Sequence, residues 1–220
     1  MDSLNALVVI ANFVVVPGLA YGSQLALGAL GVTMVYSVLR FSNFAHGELM
    51  SFGAMITVLL TWWLQAQNIG LGVLPTALIA LPIAMLLTIF LALATDKLVF
   101  SYYRQKRSES VTYLIVSVGV MFTFGGFIRF IIGPADRVFT DGQRFLLKAR
   151  TFKKMTGLNE GLAIKTTQGV TIIVAVIVVG LIFWFLNKTK TGKSMRAYSD
   201  NEDLALLSGI NPERVVIVTW

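Results

Sequence analysis

The chain alternates long apolar runs with short polar breaks. Residues 3–39, 49–95 and 166–187 contain no Asp, Glu, Lys, Arg or His, and one bilayer span needs about 20 apolar residues. Val8, Val9, Ile10, Val14, Val15 and Val16 are β-branched, yet an open strand cannot satisfy its backbone in lipid, so the run reads as helix. The pattern predicts a short leading segment over 6–16, divided by Pro17-Gly18 from a first full span over 18–39. Further spans follow over 49–66, closed by the interfacial pair Trp62-Trp63, over 76–95 with a kink near Pro82, over 111–131 and over 167–187.

The breaks set the topology. Residues 97–110 form a basic loop with Lys97, Arg104, Lys106 and Arg107, and short basic loops stay in the cytoplasm. Five crossings then put 133–166 outside and 188–214 inside. Loop 133–166 nevertheless carries seven Lys/Arg against three acids, which the same rule disfavours. Making 111–131 re-entrant through Gly125-Gly126 would repair this but would move 188–214 outside, where its basic content does not belong. The last six residues, Val215 to Trp220, start another apolar segment after the helix-launching pair Asn211-Pro212. Six residues are too few to cross, so the expectation is the front portion of a longer protein, the alternative being a short terminal helix lying on the membrane.

Composition agrees. Of 220 residues, 56% are hydrophobic and 13% charged, against about 25% charged in soluble domains; the mean hydropathy is +0.76. The fold class is all-α: a polytopic transmembrane bundle of about five spans plus the start of another, in one membrane domain over 1–220. The absence of cysteine excludes disulfides and thiol chemistry, and a single histidine excludes a multi-histidine metal site. No cofactor and no metal site are expected. The net charge of +7 lies in the loops, which suits the lipid bilayer and not nucleic acid. No secretory signal is visible at the N-terminus.

Two stretches carry the candidate function. In the first, Gly18, Gly22, Ala26, Ala29 and Thr33 share an arc of about 80° on a helical wheel, a stripe suited to close helix packing in lipid. It leads to Asn43-Phe44-Ala45-His46-Gly47-Glu48, which holds the only histidine of the chain. Three readings of that turn are open. Asn43, His46 and Glu48 line a gate at the inner end of a pathway, or the turn is interfacial with Ser42 or Asn43 capping the next helix and Glu48 in its first turn, or His46 touches substrate.

The second stretch is 188–214. Lys188, Lys190, Lys193 and Arg196 follow the last span directly. Ser199 and Glu202 have capping-box spacing, and Asp200, Glu202 and Asp203 sit where a helix dipole favours acids. Gly209-Ile210 reads as a terminating glycine with its hydrophobic contact. A two-turn helix is unstable alone, so it docks either on its own membrane domain or on a cytoplasmic partner.

Together, G-L-A-Y-G-S with N-F-A-H-G-E, D-K-L-V-F…R after the third span, and T-G-K-S-M-R-A…A-L-L-S-G-I-N-P-E-R-V resemble permease subunits of ABC transporters for branched-chain amino acids. That family also serves urea and short amides. The resemblance covers the chain from about residue 15 onward. It implies a multi-pass subunit of the bacterial cytoplasmic (inner) membrane that performs no catalysis. Its implied partners are a second permease subunit, two ABC ATPase subunits and a periplasmic or extracellular substrate-binding protein. It implies coupling to the ATPase through Arg196, Ala197, Glu202, Asp203, Leu204, Leu207, Gly209 and Ile210. Gly18, Gly22, Ala26, Asn43, His46 and Glu48 are then helix-packing or pathway residues. The family continues beyond the position of Trp220, and its basic character in 133–166 is lower than here.

Two other classes compete. An ion-gradient-driven secondary transporter would carry ionisable residues in mid-span, and 49–66, 76–95 and 167–187 have none. An intramembrane serine hydrolase would need Ser23 or Ser51 near His46, without the G-x-S-x-G elbow. Thr191-Gly192-Lys193-Ser194 gives only the tail of a phosphate-binding loop, so the ATPase is another chain.

Overall fold

The computed structural model describes residues 2–72, 74–135, 141–142 and 144–220. Asp136 and Arg137, counted above in the charge of the loop 133–166, lie outside the described residues. Among those described, five helices are long and apolar enough to cross a membrane: Ser3–Leu39, His46–Ala66, Ala77–Gln105, Ser110–Ile132 and Thr166–Lys188. The chain is a multi-pass membrane protein, with large apolar side chains such as Phe13, Phe90, Phe122 and Phe130 exposed on its surface.

The first helix departs from the expected break at Pro17-Gly18. α1 (Asp2–Ile10) continues through a π-helical turn (Ala11–Val15) into α2 (Val16–Leu39). Proline lacks the N–H that would bond four residues back. Here the turn widens just before it, with the Val16 N–H reaching the Ala11 carbonyl, and the helix passes Pro17 unbroken. α3 (His46–Ala66) and α4 (Ala77–Thr95) pack along each other, α4 running through Pro82. Small side chains make that approach close: Thr61 and Ala80 are fully buried, and a Cβ on Gly53 would stand 3.0 Å from Thr88 Oγ1.

The expected basic loop after the third span is helical instead. A second π-helical turn (Asp96–Phe100) carries α4 into α5 (Ser101–Gln105). The turn faces Asp96 and Phe100 inward, and Arg104 answers Asp96 with two hydrogen bonds, of 3.0 and 2.8 Å. A carboxylate only 6% exposed is retained because a guanidinium is held on it in this way.

α6 (Ser110–Ile132) and α8 (Thr166–Lys188) complete the spans. Between them, β1 (Phe145–Leu147) pairs antiparallel with β2 (Ile164–Lys165), enclosing α7 (Ala149–Thr156). This hairpin is the one departure from an all-α chain among the described residues. Asp141 ties its start to α4, accepting from the Ala77 N–H at 2.7 Å and from Gln65 Nε2 at 3.2 Å. Asn5 and Asn12 of the first helix accept from the Glu160 and Ala163 N–H groups.

After α8 the chain turns through α9 (Lys190–Asp200), α10 (Glu202–Leu207) and α11 (Pro212–Thr219). α9 was not expected from sequence. Thr189 caps it, its hydroxyl accepting from the Gly192 N–H at 3.0 Å. Gly192 then lets α9 fold back onto the last turn of α8, at a distance no side chain would permit.

Candidate functional site

The two stretches singled out in the sequence meet at one end of the bundle, the end that the positive-inside rule assigns to the cytoplasm. The meeting point is the C-terminus of α2. There Val38 packs with Met195, Tyr198, Ala205 and Val215, and Leu39 and Ile210 lie against the same cluster. Leu39 also touches a second cluster formed by Phe41, Ala45, Phe100 and Val120, with Tyr113 and Trp220 at its edge. The segment Val38–Phe41 therefore joins α9, α10 and α11 on one side to the polar turn and α6 on the other.

Polar contacts fix this joint. α2 ends at Arg40, whose φ of 58° is left-handed, a conformation uncommon outside glycine and asparagine. The Arg40 guanidinium donates to the Ser199 carbonyl. In return the Ser199 hydroxyl donates to the Ser37 carbonyl at 3.1 Å. The last turn of α2 is thus tied twice to the end of α9. Neither Arg40 nor Ser37 was legible as a site residue, since the pairing spans more than 150 positions.

The residues expected to couple to an ATPase take up two positions in the structure. Asn201, not Ser199, caps α10, its side chain accepting from the Leu204 N–H at 3.0 Å. The expected capping box is absent because α9 runs on to Asp200 and only Asn201 takes the extended backbone a cap needs. Glu202 accepts from the Tyr198 hydroxyl at 2.6 Å. Burial first, and then the bond and charge of Glu202, raise the Tyr198 pKa well above the usual phenol range. Tyr198 stays a donor at every physiological pH. Gly209, at φ +80°, closes α10: its N–H reaches the Leu206 carbonyl and the Ile210 N–H the Ala205 carbonyl, with Ile210 packed inward. Ala205 is buried in the cluster of Val38, Met195, Tyr198 and Val215, whereas Leu204 and Leu207 point out, Leu207 85% exposed. Asp203, Arg196 and Ala197 are also exposed. Two turns of helix thus show an apolar, acid-flanked face to the exterior.

The polar turn is built differently from a cap. Asn43 is buried, and its Oδ1 accepts from the Ala45 N–H at 3.1 Å, while its Nδ2 has no partner. Ser117 on α6, with no exposed surface, accepts from the Phe44 N–H at 3.2 Å and fastens the turn to that helix. His46 opens α3, with its ring against Gly31 of α2, where a Cβ would meet Nε2 at 2.6 Å. Glu48 lies in the first turn of α3 and packs against Gly125 of α6. Gly31, Gly125 and Ser117 join Arg40 and Ser37 among the residues that the sequence does not mark as part of the site.

The predicted stripe faces away from all of this. Gly18, Gly22 and Ala26 are exposed, and a Cβ on either glycine would meet nothing within 4 Å. α2 packs through the opposite side, with Ala20, Val35 and Val38 buried and Gly28 and Gly31 against Met50 and His46. Higher in the bundle, a groove of about 820 Å³ opens between α2, α3, α4 and α8, lined by Gln24, Met50, Gly53, Thr57, Met85 and Thr88 among others. Thr57 and Thr88 spend their hydroxyl protons on their own helices, so the wall is mainly apolar.

Comparison with known proteins matches residues 14–220 to the family described as branched-chain amino acid transport system / permease component. The chain is 26% identical over 206 residues to the high-affinity branched-chain amino acid transport system permease protein LivH of Escherichia coli K12. The alignment covers 92% of this chain and 63% of that protein. LivH of Salmonella typhimurium is likewise 26% identical, over 92% and 63%, and BraD of Pseudomonas aeruginosa 23%, over 93% and 64%. The chain thus spans a little under two thirds of the length of these relatives. No solved structure matches.

Proposed function

The chain belongs to the branched-chain amino acid transport permease family, and from that premise we propose that it is a membrane subunit of an ATP-driven importer of branched-chain amino acids in the bacterial cytoplasmic membrane. Its partners are a second permease, two cytoplasmic ATPases and a substrate-binding protein that delivers substrate from outside. It binds no cofactor and breaks no bond. Its part is mechanical: α10 rests on an ATPase, and the joint at Val38–Phe41 passes the motion of α9 and α10 to the turn Asn43–Glu48.

The observation that carries this proposal is the double contact of α10. Its inner side is packed, through Ala205 and the following Ile210, into the cluster that Val38 of α2 forms with Met195 and Tyr198 of α9 and Val215 of α11, while Leu204 and Leu207 stand free. A helix too short to be stable alone is therefore held rigidly by the membrane domain with an apolar face turned outward. Asn43, His46 and Glu48 form the moving inner end of a transport helix, and their contacts with Gly31, Ser117 and Gly125 are what such a motion would alter. The apolar groove suits passage of an aliphatic side chain, and the stripe Gly18–Gly22–Ala26 is available to the second permease.

The test is charge reversal, Glu202→Lys with Asp203→Lys, in the full-length protein reconstituted with its ATPases. Membrane insertion and ATP hydrolysis are expected to persist while uptake falls at least tenfold. Unchanged uptake would remove the coupling role of α10.

A further inference from the structure

α7 is the most strongly two-faced of the described helices of eight residues or more, and nothing in the transport mechanism uses it. At 100° per residue, Arg150, Lys153 and Lys154 share an arc of about 100°, while Ala149, Phe152 and Met155 occupy the opposite side. The stretch from Arg144 to Asn159 holds five Lys/Arg and no acid. Lys148, Arg150, Lys153 and Lys154 are all exposed, and the one ion pair among the described residues lies elsewhere, between Arg104 and Asp96. On the other side Met155 is 79% exposed and Phe152 half-buried.

The position of α7 decides what these faces meet. β2 runs directly into the first turn of α8, where the span enters lipid, and Leu146 of β1 lies against Gly169 in that turn. α7 leaves β1 after a single intervening residue, and Gly161 brings the returning chain against Ala149. The helix therefore starts at the level of the headgroups. A soluble acidic protein would account for the cations but not for an exposed methionine beside the bilayer; a membrane surface accounts for both.

We propose that α7 is an interfacial anchor. Its basic face binds anionic phospholipid headgroups on the side opposite α10, and Met155 with Phe152 enters the acyl boundary. This also gives Lys148, Arg150, Lys153 and Lys154 a use that offsets their conflict with the positive-inside rule: they act after insertion, on lipid, and not on topology.

The chain has no cysteine, and in a full-length protein kept free of other cysteines Met155→Cys provides a single labelling site for an environment-sensitive fluorophore. The full-length protein is placed in phosphatidylcholine nanodiscs, with or without one quarter phosphatidylglycerol. In the anionic discs the label is expected to shift to the blue, to be quenched by doxyl-labelled lipid and to be shielded from iodide. Neutralising Lys153 and Lys154 to Gln should lower the inserted-to-free ratio roughly fivefold per cation. A label at Phe122→Cys, on the lipid face of α6, must stay lipid-quenched throughout and reports that the fold is intact. Equal iodide access in both lipid compositions would overturn the proposal. So would protection that arises only when an acidic soluble partner is added, since the face would then belong to a protein.

Discussion

Substituting Gly192 by alanine tests the joint at its tightest point. A Cβ there would stand 2.3 Å from the Phe185 carbonyl oxygen, 2.6 Å from Leu186 Cα and 2.9 Å from the Phe185 carbonyl carbon. The first distance is about 1 Å short of ordinary contact, and all three neighbours are backbone, which cannot rotate aside. α9 must therefore lift from α8, taking Ser199, Met195 and Tyr198 away from α2. Overpacking of this kind costs about 1–3 kcal/mol, or roughly 2–12 °C of melting temperature for a chain of this size. The assay is thermal unfolding of the detergent-solubilised protein, with Gly180→Ala as control. Gly180 lies in α8 with open space around it, so alanine there is neutral or stabilising by up to about 1 kcal/mol. In the assembled transporter Gly192→Ala should also lower the transport per ATP hydrolysed. Equal melting temperatures for the two variants would refute the packing argument.

Removing the Arg104 guanidinium with Arg104→Ala strands the buried Asp96 carboxylate and is expected to cost about 2–3 kcal/mol, less than a fully buried pair because Arg104 is partly solvated; adding Asp96→Asn should recover part of the loss in the same unfolding assay. Ser117→Ala leaves the Phe44 N–H without its acceptor and should destabilise by about 1–3 kcal/mol, with hydrogen exchange at Phe44 rising more than exchange at mid-span amides. Asp141 provides a pH signature. Burial pushes its carboxyl upward, but the donors on Ala77, Thr76 and Gln65 outweigh this and hold it below the ordinary value. A folded-state pKa below the unfolded one adds stability above about pH 4 that is lost as pH falls toward the lowered value. Melting temperature measured between pH 3 and 6 should show that loss in the parent chain and a smaller slope in Asp141→Asn.

What was legible in the sequence is what depends on local chemistry. Long apolar runs located all five spans, four of them within charge-free stretches, because lipid enforces apolarity over the whole length. Asn211-Pro212 and Gly209-Ile210 announced their turns, because caps are set by the residues that make them. α9 was missed because Thr-Gly-Lys-Ser carries little helix propensity; its stability comes from Gly192 lying on α8. Pro17 was read as a break because a π-helical turn that absorbs the missing donor leaves no mark in composition. A wheel grouped Gly18, Gly22 and Ala26 correctly on one face but could not say which face is inward, and the described packing uses Gly28 and Gly31 on the other. Ser117 on Phe44 and Asp141 on Ala77 join residues more than 60 positions apart, beyond any local pattern.

The central claim is that the outward face of α10 docks on the ATPase. It is tested most directly by a spin label at Leu207→Cys in a transporter kept free of other cysteines, with Phe122→Cys as an exposed reference on α6. On assembly with the ATPase the Leu207 label should become immobilised and inaccessible to a water-soluble relaxation agent, while the Phe122 label does not change. A Leu207 label that stays mobile and accessible in the assembled, ATP-hydrolysing complex would contradict the account.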